Sequence, residues 1–171
     1  EECPFDVDVK LSRDDGHSVK TFTRRNADLP ARGRGKIARQ AFWNRGAEAE
    51  IRQLIDRQHP DVLHCNNLFP QISPSIYRPA NEAGIPVVQA IRNYRHFCPA
   101  ATLYRDGRVC TDCVGKWFAY PAVLHGCYRD SRAGSAVLAA MNAYHRLAGT
   151  WTQRVSAFFT PSETSRTAHA E

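Results

Sequence analysis

The stretch of sequence that decides the fold class is residues 60–91, PDVLHCNNLFPQISPSIYRPANEAGIPVVQAI. It opens with a short apolar run at residues 61–65, which is typical of a buried strand. Ser73 followed by Pro74 indicates a helix N-cap with proline at the first helical position, and Gly84 indicates where that helix ends. A second apolar and β-branched run follows at residues 86–91. A strand, a helix and a strand in this order predict a parallel βαβ unit.

The same alternation continues on both sides of this stretch. Polar and apolar residues alternate at 17–23, and the run at 155–160 is largely apolar, so both are predicted strands. Helical spacing predicts helices at 36–57, interrupted near Gly46, and at 133–147, with Ser162 as the N-cap of a last helix. We therefore predict an α/β fold in one domain, residues 1–171, built on a Rossmann-like, doubly wound parallel sheet.

The composition is that of a globular domain. Of the 171 residues, 43% are hydrophobic and 23% are charged, which is ordinary for such proteins, and the length suffices for one domain with its own core. No apolar run approaches the ~18 residues of a membrane-spanning helix. The first residues, Glu-Glu-Cys-Pro, lack the basic and apolar regions of a signal peptide and include no Met. We expect a fragment or trimmed chain of a cytoplasmic protein.

A basic segment, defined here as residues 24–39, holds part of the net charge of +6. Its cationic residues are Arg24, Arg25, Arg32, Arg34, Lys36 and Arg39. They are interpreted either as a solvated helix face or as a surface that attracts anionic lipid head groups, phosphorylated substrates or nucleic acid. Peripheral contact with the inner face of the membrane through this segment is one of these expectations, and charge alone does not separate them.

Residues 93–131 form a long connection with little periodicity, which we predict to be a Cys-rich loop insertion. Loops beyond ~15 residues are uncommon in compact domains and are usually functional or held together by something. Four of the six cysteines lie here in the pattern C-x11-C-x2-C-x13-C, namely Cys98, Cys110, Cys113 and Cys127. The inner pair has the spacing that points two thiolates at one metal, so a structural zinc site is predicted. Disulfides and unlinked thiols are the alternatives, and a reducing cytoplasm favours the metal over disulfides.

Polar residues follow two of the predicted strands at the point where each strand ends. In open α/β sheets, ligands bind beyond these carboxyl ends. Side chains that form hydrogen bonds are interleaved there with aromatic side chains, which suits sugars. The predicted substrate-binding residues are His64, Asn66, Asn67, Arg92, Asn93, Tyr94 and Arg95. The alternative is that the asparagines make local turn hydrogen bonds and that His64 is a satisfied core histidine.

Two segments carry a resemblance to a known family. They are HCNNLFPQISPSIYRPANEAGIPVVQAIRNYRHFCPAATLYRDGRVCTDCVGKWFAYPAVLHGCYRDS, residues 64–131, and AMNAYHRLAGTWTQRVSAFFTPSE, residues 140–163. From about residue 15 onward the sequence resembles the N-terminal domain of family 4 glycosyltransferases, which have the GT-B fold. Many members read H-x-H-N at the first strand end and His-Asn at the second, whereas this sequence has His64-Cys65-Asn66-Asn67 and Arg92-Asn93.

The resemblance implies one half of a retaining glycosyltransferase that moves a sugar from a nucleotide sugar to an acceptor hydroxyl, in polysaccharide or glycolipid synthesis. It implies that this half binds the sugar or glycolipid acceptor. The donor-binding C-terminal domain and the family's first strand, with its Gly-rich turn, are expected to lie outside this sequence, and the chain alone is expected to be inactive. No catalytic metal and no nucleic-acid partner are expected. The resemblance also implies a helix over residues 1–15, although Phe5, Val7, Val9 and Leu11 alternate as in a strand.

Two further sequence patterns bear on function. Glu163 and Glu171 have the Glu-x7-Glu spacing of the family's carboxylate pair, but they follow the last strand of the N-terminal half and are rejected as catalytic residues. The alternative function is a zinc-stabilised basic nucleic-acid-binding module. It would use residues 24–39 on phosphates and would stack bases on Trp43, Trp117, Phe118 and Tyr120.

Overall fold

The computed structural model describes residues 4–24 and 34–170, which form a mixed α/β structure. The helices are α1 Pro4–Asp14, α2 Arg34–Phe42, α3 Arg45–Gln58, α4 Tyr77–Glu82, α5 Tyr120–Leu124, α6 Arg132–Leu147, α7 Thr150–Arg154 and α8 Glu163–Ala170. The strands are β1 Leu63–Cys65, β2 Val87–Ala90, β3 Tyr104–Arg105, β4 Arg108–Val109 and β5 Ala157–Phe159. A 3-10 turn, Pro74–Ile76, leads into α4.

Three strands form a small parallel sheet in the order β1-β2-β5. Leu63 lies beside Val87 in the register of the first pair, and Ala90 lies beside Phe159 in the second. Because all three strands run in the same direction, the residues that follow β1 and β2 emerge at one edge of the sheet. Strands β3 and β4 form a separate antiparallel hairpin.

The Ser73-Pro74 signal begins the 3-10 turn that leads into α4, whereas α4 itself begins three residues later at Tyr77 and ends just before Gly84. The Ser73 hydroxyl accepts a hydrogen bond from the backbone N–H of Ser75 at 3.3 Å, and Pro74 occupies the first helical position. Gly84 has φ +71°, a left-handed conformation that suits glycine after a helix. The sequence therefore placed this βαβ unit correctly.

Helix α3 is held at its start by a buried asparagine. The Asn44 side chain accepts hydrogen bonds from the backbone N–H groups of Gly46 and Ala47 at 3.0 and 3.1 Å. The break predicted near Gly46 therefore lies just before it, because Asn44 is an N-cap and Gly46 belongs to the first turn of α3. One face of α3 buries Ala47, Ile51 and Ile55, which are four residues apart.

The main hydrophobic core lies between α3, α4 and the sheet. Its fully buried members include Tyr77, Ala80 and Val87, each 0% exposed. Cys65 belongs to the same core at 3% exposed. The helices α3 and α4 thus pack against the parallel sheet and hold its strands in place.

One predicted strand is wrong, and one ambiguity is resolved. Residues 17–24 have no regular secondary structure, because no neighbouring strand pairs with them and alternation alone does not make a strand. Arg13 instead donates a hydrogen bond to the Val19 carbonyl at 3.3 Å, and Phe22 packs against the core. Residues 5–11 lie in α1, as the resemblance implies and against their alternation. The doubly wound arrangement remains a prediction.

Candidate functional site

A recess lies at the carboxyl edge of the sheet and encloses about 70 Å³, and its exposed lining is mostly apolar. Ligand pockets usually measure about 300–1,000 Å³, so the recess by itself is too small to surround a ligand. Five of the seven predicted substrate-binding residues line it. They are Asn66, Asn67, Arg92, Asn93 and Arg95.

Arg92 connects the two strand ends to helix α1. Its Nη2 donates to Oδ2 of Asp8 at 2.5 Å, and its Nε donates to Oδ1 of Asn66 at 3.0 Å. The Asn66 amide nitrogen also lies 3.4 Å from the same Asp8 carboxylate. These three residues, here called the Arg92 clamp, set the orientation of the Asn66 amide at the rim of the recess.

Asn67 and Asn93 both make the local turn bonds that the alternative interpretation predicted. The side-chain oxygen of Asn67 accepts from the backbone N–H of Phe69 at 3.3 Å, and that of Asn93 accepts from the backbone N–H of Arg95 at 3.1 Å. In the described part of the chain, neither amide nitrogen makes a hydrogen bond, so each retains its two N–H donors. Such donors suit the hydroxyls of a sugar.

Arg95 is held mainly by the protein itself. Its guanidinium lies 4.6 Å from the centre of the Phe69 ring, and its Nη1 donates to the Pro99 carbonyl at 3.1 Å. Burial lowers the pKa of Arg95 from its ordinary value. Its backbone carbonyl accepts from the Asn142 amide at 2.6 Å. Arg95 therefore ties the recess to α6 and to the segment that carries the cysteines.

The floor of the recess contains polar residues that sequence reasoning missed. The Tyr77 hydroxyl donates to the Gln89 side chain at 2.6 Å, and the Gln89 amide donates to the Asn66 carbonyl at 2.7 Å. Burial raises the pKa of Tyr77 well above its ordinary value. A glutamine within an otherwise apolar strand, VVQAI, was the one sequence signal for this network. The network fixes the backbone at the point where β1 ends.

His96 is a further residue of the recess that sequence reasoning did not single out. It lines the recess, and its ring centre lies 4.7 Å from that of Trp151. Burial, followed by the nearby charges of His169 and Arg146, lowers the pKa of His96 to about 4. The ring is therefore neutral at pH 7, and within the described residues its Nδ1 has no hydrogen-bond partner.

His64 and Tyr94 do not line the recess. His64 is exposed, not buried in the core, and its ring centre lies 5.5 Å from that of Phe159 on the edge strand β5. Tyr94 stacks on His169 of α8, with ring centres 5.6 Å apart and planes 17° apart. His64 is the middle residue of β1 and Tyr94 follows β2, but the side chains of both lie against aromatic neighbours outside the recess.

The cysteines of segment 93–131 carry free thiols, as does Cys65. Cys98 and Cys113 are buried, and Cys110 and Cys127 are partly exposed. Burial and, to a smaller extent, the charges of the other three thiols raise the pKa of Cys113 to about 11, while a hydrogen bond with the Ala122 backbone opposes the shift. As the thiols stand, no group of three or more His, Cys, Asp or Glu side chains in residues 4–24 and 34–170 could hold a metal ion.

The structure describes some residues of the basic segment, of the aromatic set in the nucleic-acid alternative and of the Glu163/Glu171 pair. Arg24 pairs with Glu50 at 2.5 Å, whereas Arg25, Arg32 and the side chains of Arg34 and Lys36 lie outside the description. The Trp43 indole donates to Glu48 at 2.8 Å, while Trp117 and Tyr120 are exposed. Glu163 pairs with Arg166, and Glu171 lies outside the described residues.

None of the helices described here has the length and apolar character needed to cross a membrane. Comparison of the chain with protein-family models, with curated proteins and with solved structures found no match.

Proposed function

We propose that this chain is the acceptor-binding, N-terminal half of a retaining glycosyltransferase with the GT-B fold. In this proposal a Rossmann-like, doubly wound domain binds a sugar or glycolipid acceptor at the carboxyl edge of its sheet. A second domain binds the nucleotide sugar and carries the chemistry at the leaving diphosphate. No residue of this chain is assigned a catalytic role, and no catalytic metal is required.

The observation that carries the proposal is the recess at the carboxyl edge of parallel strands, where amide donors lie beside an apolar lining. Open α/β sheets bind their ligands at this edge. The recess presents amide donors from Asn67 and Asn93 beside the aromatic side chains of Phe69 and Trp151. Donors beside aromatic faces match a pyranose ring, which has hydroxyls around its rim and C–H groups on its faces.

The size of the recess supports a site that is completed by another domain. An enclosed volume of about 70 Å³ leaves most of a sugar uncovered. On the neighbouring strand β5, Phe158 and Phe159 are 42% and 39% exposed. Apolar strand residues of this kind are usually covered when a sheet is complete. Closure of a second domain over this edge would bury both the acceptor and these rings.

The remaining expectations belong to the same proposal. The enzyme acts in polysaccharide or glycolipid synthesis in the cytoplasm, and the basic segment, residues 24–39, contacts anionic lipid at the inner face of the membrane. Net positive charge supports that contact. A transfer assay with a panel of nucleotide sugars would identify the donor nucleotide, the sugar and the linkage.

Saccharide binding to the isotope-labelled chain tests the acceptor site. A panel of monosaccharides, disaccharides and soluble glycolipid head groups is titrated while backbone amide shifts are recorded. We expect weak binding that shifts the amides of Asn66, Asn67 and Asn93 and leaves helix α3 unchanged. Asn93→Ala removes an amide that is free to donate, so affinity should fall about tenfold, which is the loss of one hydrogen bond.

Asn81→Ala is the matched control for this titration. Asn81 is exposed on α4, and its amide donates to the Arg154 carbonyl at 3.1 Å, away from the recess. Its replacement should leave saccharide affinity unchanged. Shifts confined to surfaces outside the recess, or no shifts with any saccharide, would refute the acceptor site. Salt-dependent binding of an arbitrary oligonucleotide would instead favour the nucleic-acid-binding alternative.

A further inference from the structure

We propose that Cys98, Cys110, Cys113 and Cys127 bind one structural zinc ion that holds segment 93–131 together. This inference stands apart from the proposed sugar transfer and would hold for a protein of any activity. It rests on how the chain brings four sulfurs, distant in sequence, into one neighbourhood.

Local turns fix the backbone at Cys98, Cys110 and Cys127. Cys98 lies in a turn after β2, in which its N–H donates to the Tyr94 carbonyl at 2.8 Å. The β3–β4 hairpin then reverses the chain, so that the Cys110 N–H donates to the Leu103 carbonyl at 2.9 Å. Helix α5 reverses it again, and the Cys127 N–H donates to the Ala122 carbonyl at 3.0 Å.

A tight turn joins the two inner cysteines. The N–H of Val114 donates to the Thr111 carbonyl at 2.9 Å, and the N–H of Lys116 donates to the Cys113 carbonyl at 3.3 Å. Gly115 follows with φ +70°, a conformation that suits glycine. A turn of this length between Cys110 and Cys113 can present both sulfurs to one ion.

The four thiols interact electrostatically with one another. Cys98, Cys110 and Cys127 lie near enough to interact with Cys113, and the Arg105 side chain forms a hydrogen bond with Cys127. A Zn²⁺ ion deprotonates the thiols that bind it and supplies positive charge that offsets the thiolates.

Arg105 lies where it would stabilise the resulting anionic centre. A zinc ion with four thiolates has a net charge of −2, which a neighbouring guanidinium offsets. The Arg105 side chain is only 18% exposed, and it also pairs with Asp112 at 3.0 Å. It therefore links the β3–β4 hairpin to the turn that contains the inner cysteines.

The segment has little regular secondary structure of its own. Its regular elements are two strands of two residues each and a helix of five residues. Its small core consists mainly of Cys113 and three alanines, with Cys127 packed against them. Neutral thiols do not attract one another, whereas zinc draws sulfurs to about 2.3 Å. We therefore infer that the four side chains turn towards a common centre when the metal binds.

Metal analysis of the wild-type chain is the first test. The chain is purified under reducing conditions without chelator, and we expect about one zinc per chain. After the zinc is removed, Co²⁺ should produce the thiolate charge-transfer and tetrahedral d–d absorption bands of a four-sulfur site. A zinc-free chain that gives no such bands with Co²⁺ would overturn the proposal, and so would finding the four cysteines paired as disulfides.

Substitutions then assign the ligands. Cys113→Ser should lower the zinc content of the chain at least tenfold, whereas the matched control Cys65→Ala, in strand β1, should retain it. Zinc retained by Cys113→Ser, or lost from Cys65→Ala with its fold intact, would contradict the assignment. Alkylation of the wild-type chain does not depend on the folding of any variant. In the wild-type chain, zinc should protect all four cysteines from alkylation. Equal alkylation of the four cysteines with and without zinc would reject the site.

Discussion

Replacing Arg92 by glutamine is expected to reduce sugar transfer by the two-domain enzyme about 100-fold. Arg92 donates to Asp8 on α1 at 2.5 Å and to Asn66 after β1 at 3.0 Å. Glutamine is shorter and uncharged, so it cannot hold both partners. The Asn66 amide would then lose its fixed orientation at the rim of the recess. A displacement of about 1 Å at a positioning group can lower the rate of a reaction by about 100-fold.

The kinetic constants should identify Arg92 as a positioning residue on the acceptor side. The loss should fall on kcat/KM for the acceptor, while KM for the nucleotide sugar stays unchanged, because the proposed function assigns donor binding to the other domain. Arg52→Gln is the matched control, since Arg52 forms a similar ion pair with Glu82 at 2.6 Å away from the recess. Partly exposed ion pairs contribute at most about 1 kcal/mol to stability, so both variants should fold. Equal losses in the two variants would argue against an acceptor-side role for Arg92.

His145 is expected to make the free energy of unfolding depend on pH. It is fully buried on α6, and its Nδ1 lies 3.1 Å from the Thr150 hydroxyl. Burial is the main cause that lowers its pKa from 6.5 to about 4, and the Arg154 charge lowers it further, while a hydrogen bond with the Phe42 backbone opposes the shift. The unfolded chain therefore binds more protons on this residue between those two pH values. Stability rises with pH across that window and is lost as the pH falls through it.

Urea denaturation at two pH values measures this effect. Between about pH 7.5 and about pH 5, His145 should account for a loss of about 2 kcal/mol. His145→Gln should remove that part of the pH dependence, whatever it does to stability at neutral pH. His96 contributes in both proteins and cancels in the comparison. His125→Gln, at an exposed position, should keep the full dependence, and an unchanged slope in His145→Gln would show that His145 is not responsible.

The sequence predicted an element best where two local signals, such as an N-cap residue and a terminating glycine, indicated the same boundaries. The helix before Gly84 has an N-cap, a proline and a terminating glycine, and the last helix begins after Ser162, whose hydroxyl accepts from Ser165 N–H at 3.2 Å. Residues 17–23 had alternation alone, and a strand also requires a partner, which no local pattern reveals. The helix at residues 5–11 was predicted only through the resemblance, because its alternation favoured a strand.

The candidate site was predictable only in part, for a physical reason. The parallel register brings Asn66 and Arg92 to one edge, and that follows from strand order alone. Whether a side chain then faces the recess depends on its packing. His64 lies against Phe159 and Tyr94 against His169, and these neighbours come from elements far along the chain. Asp8 was missed for the same reason, since its contact with Arg92 joins residues 84 positions apart.

The measurement that tests the acceptor-side assignment most directly is a side-by-side transfer assay. The 171-residue chain and the two-domain protein of the proposal are incubated with a panel of nucleotide sugars and with saccharide and glycolipid acceptors. Stabilisation of charge on the leaving diphosphate contributes heavily to such a reaction, and losing one donor group can cost about 100-fold or more. We predict that the two-domain protein transfers a sugar with retention of the anomeric configuration and that the chain alone transfers none. Turnover by the chain comparable to that of the two-domain protein, or no transfer by either, would contradict the assignment.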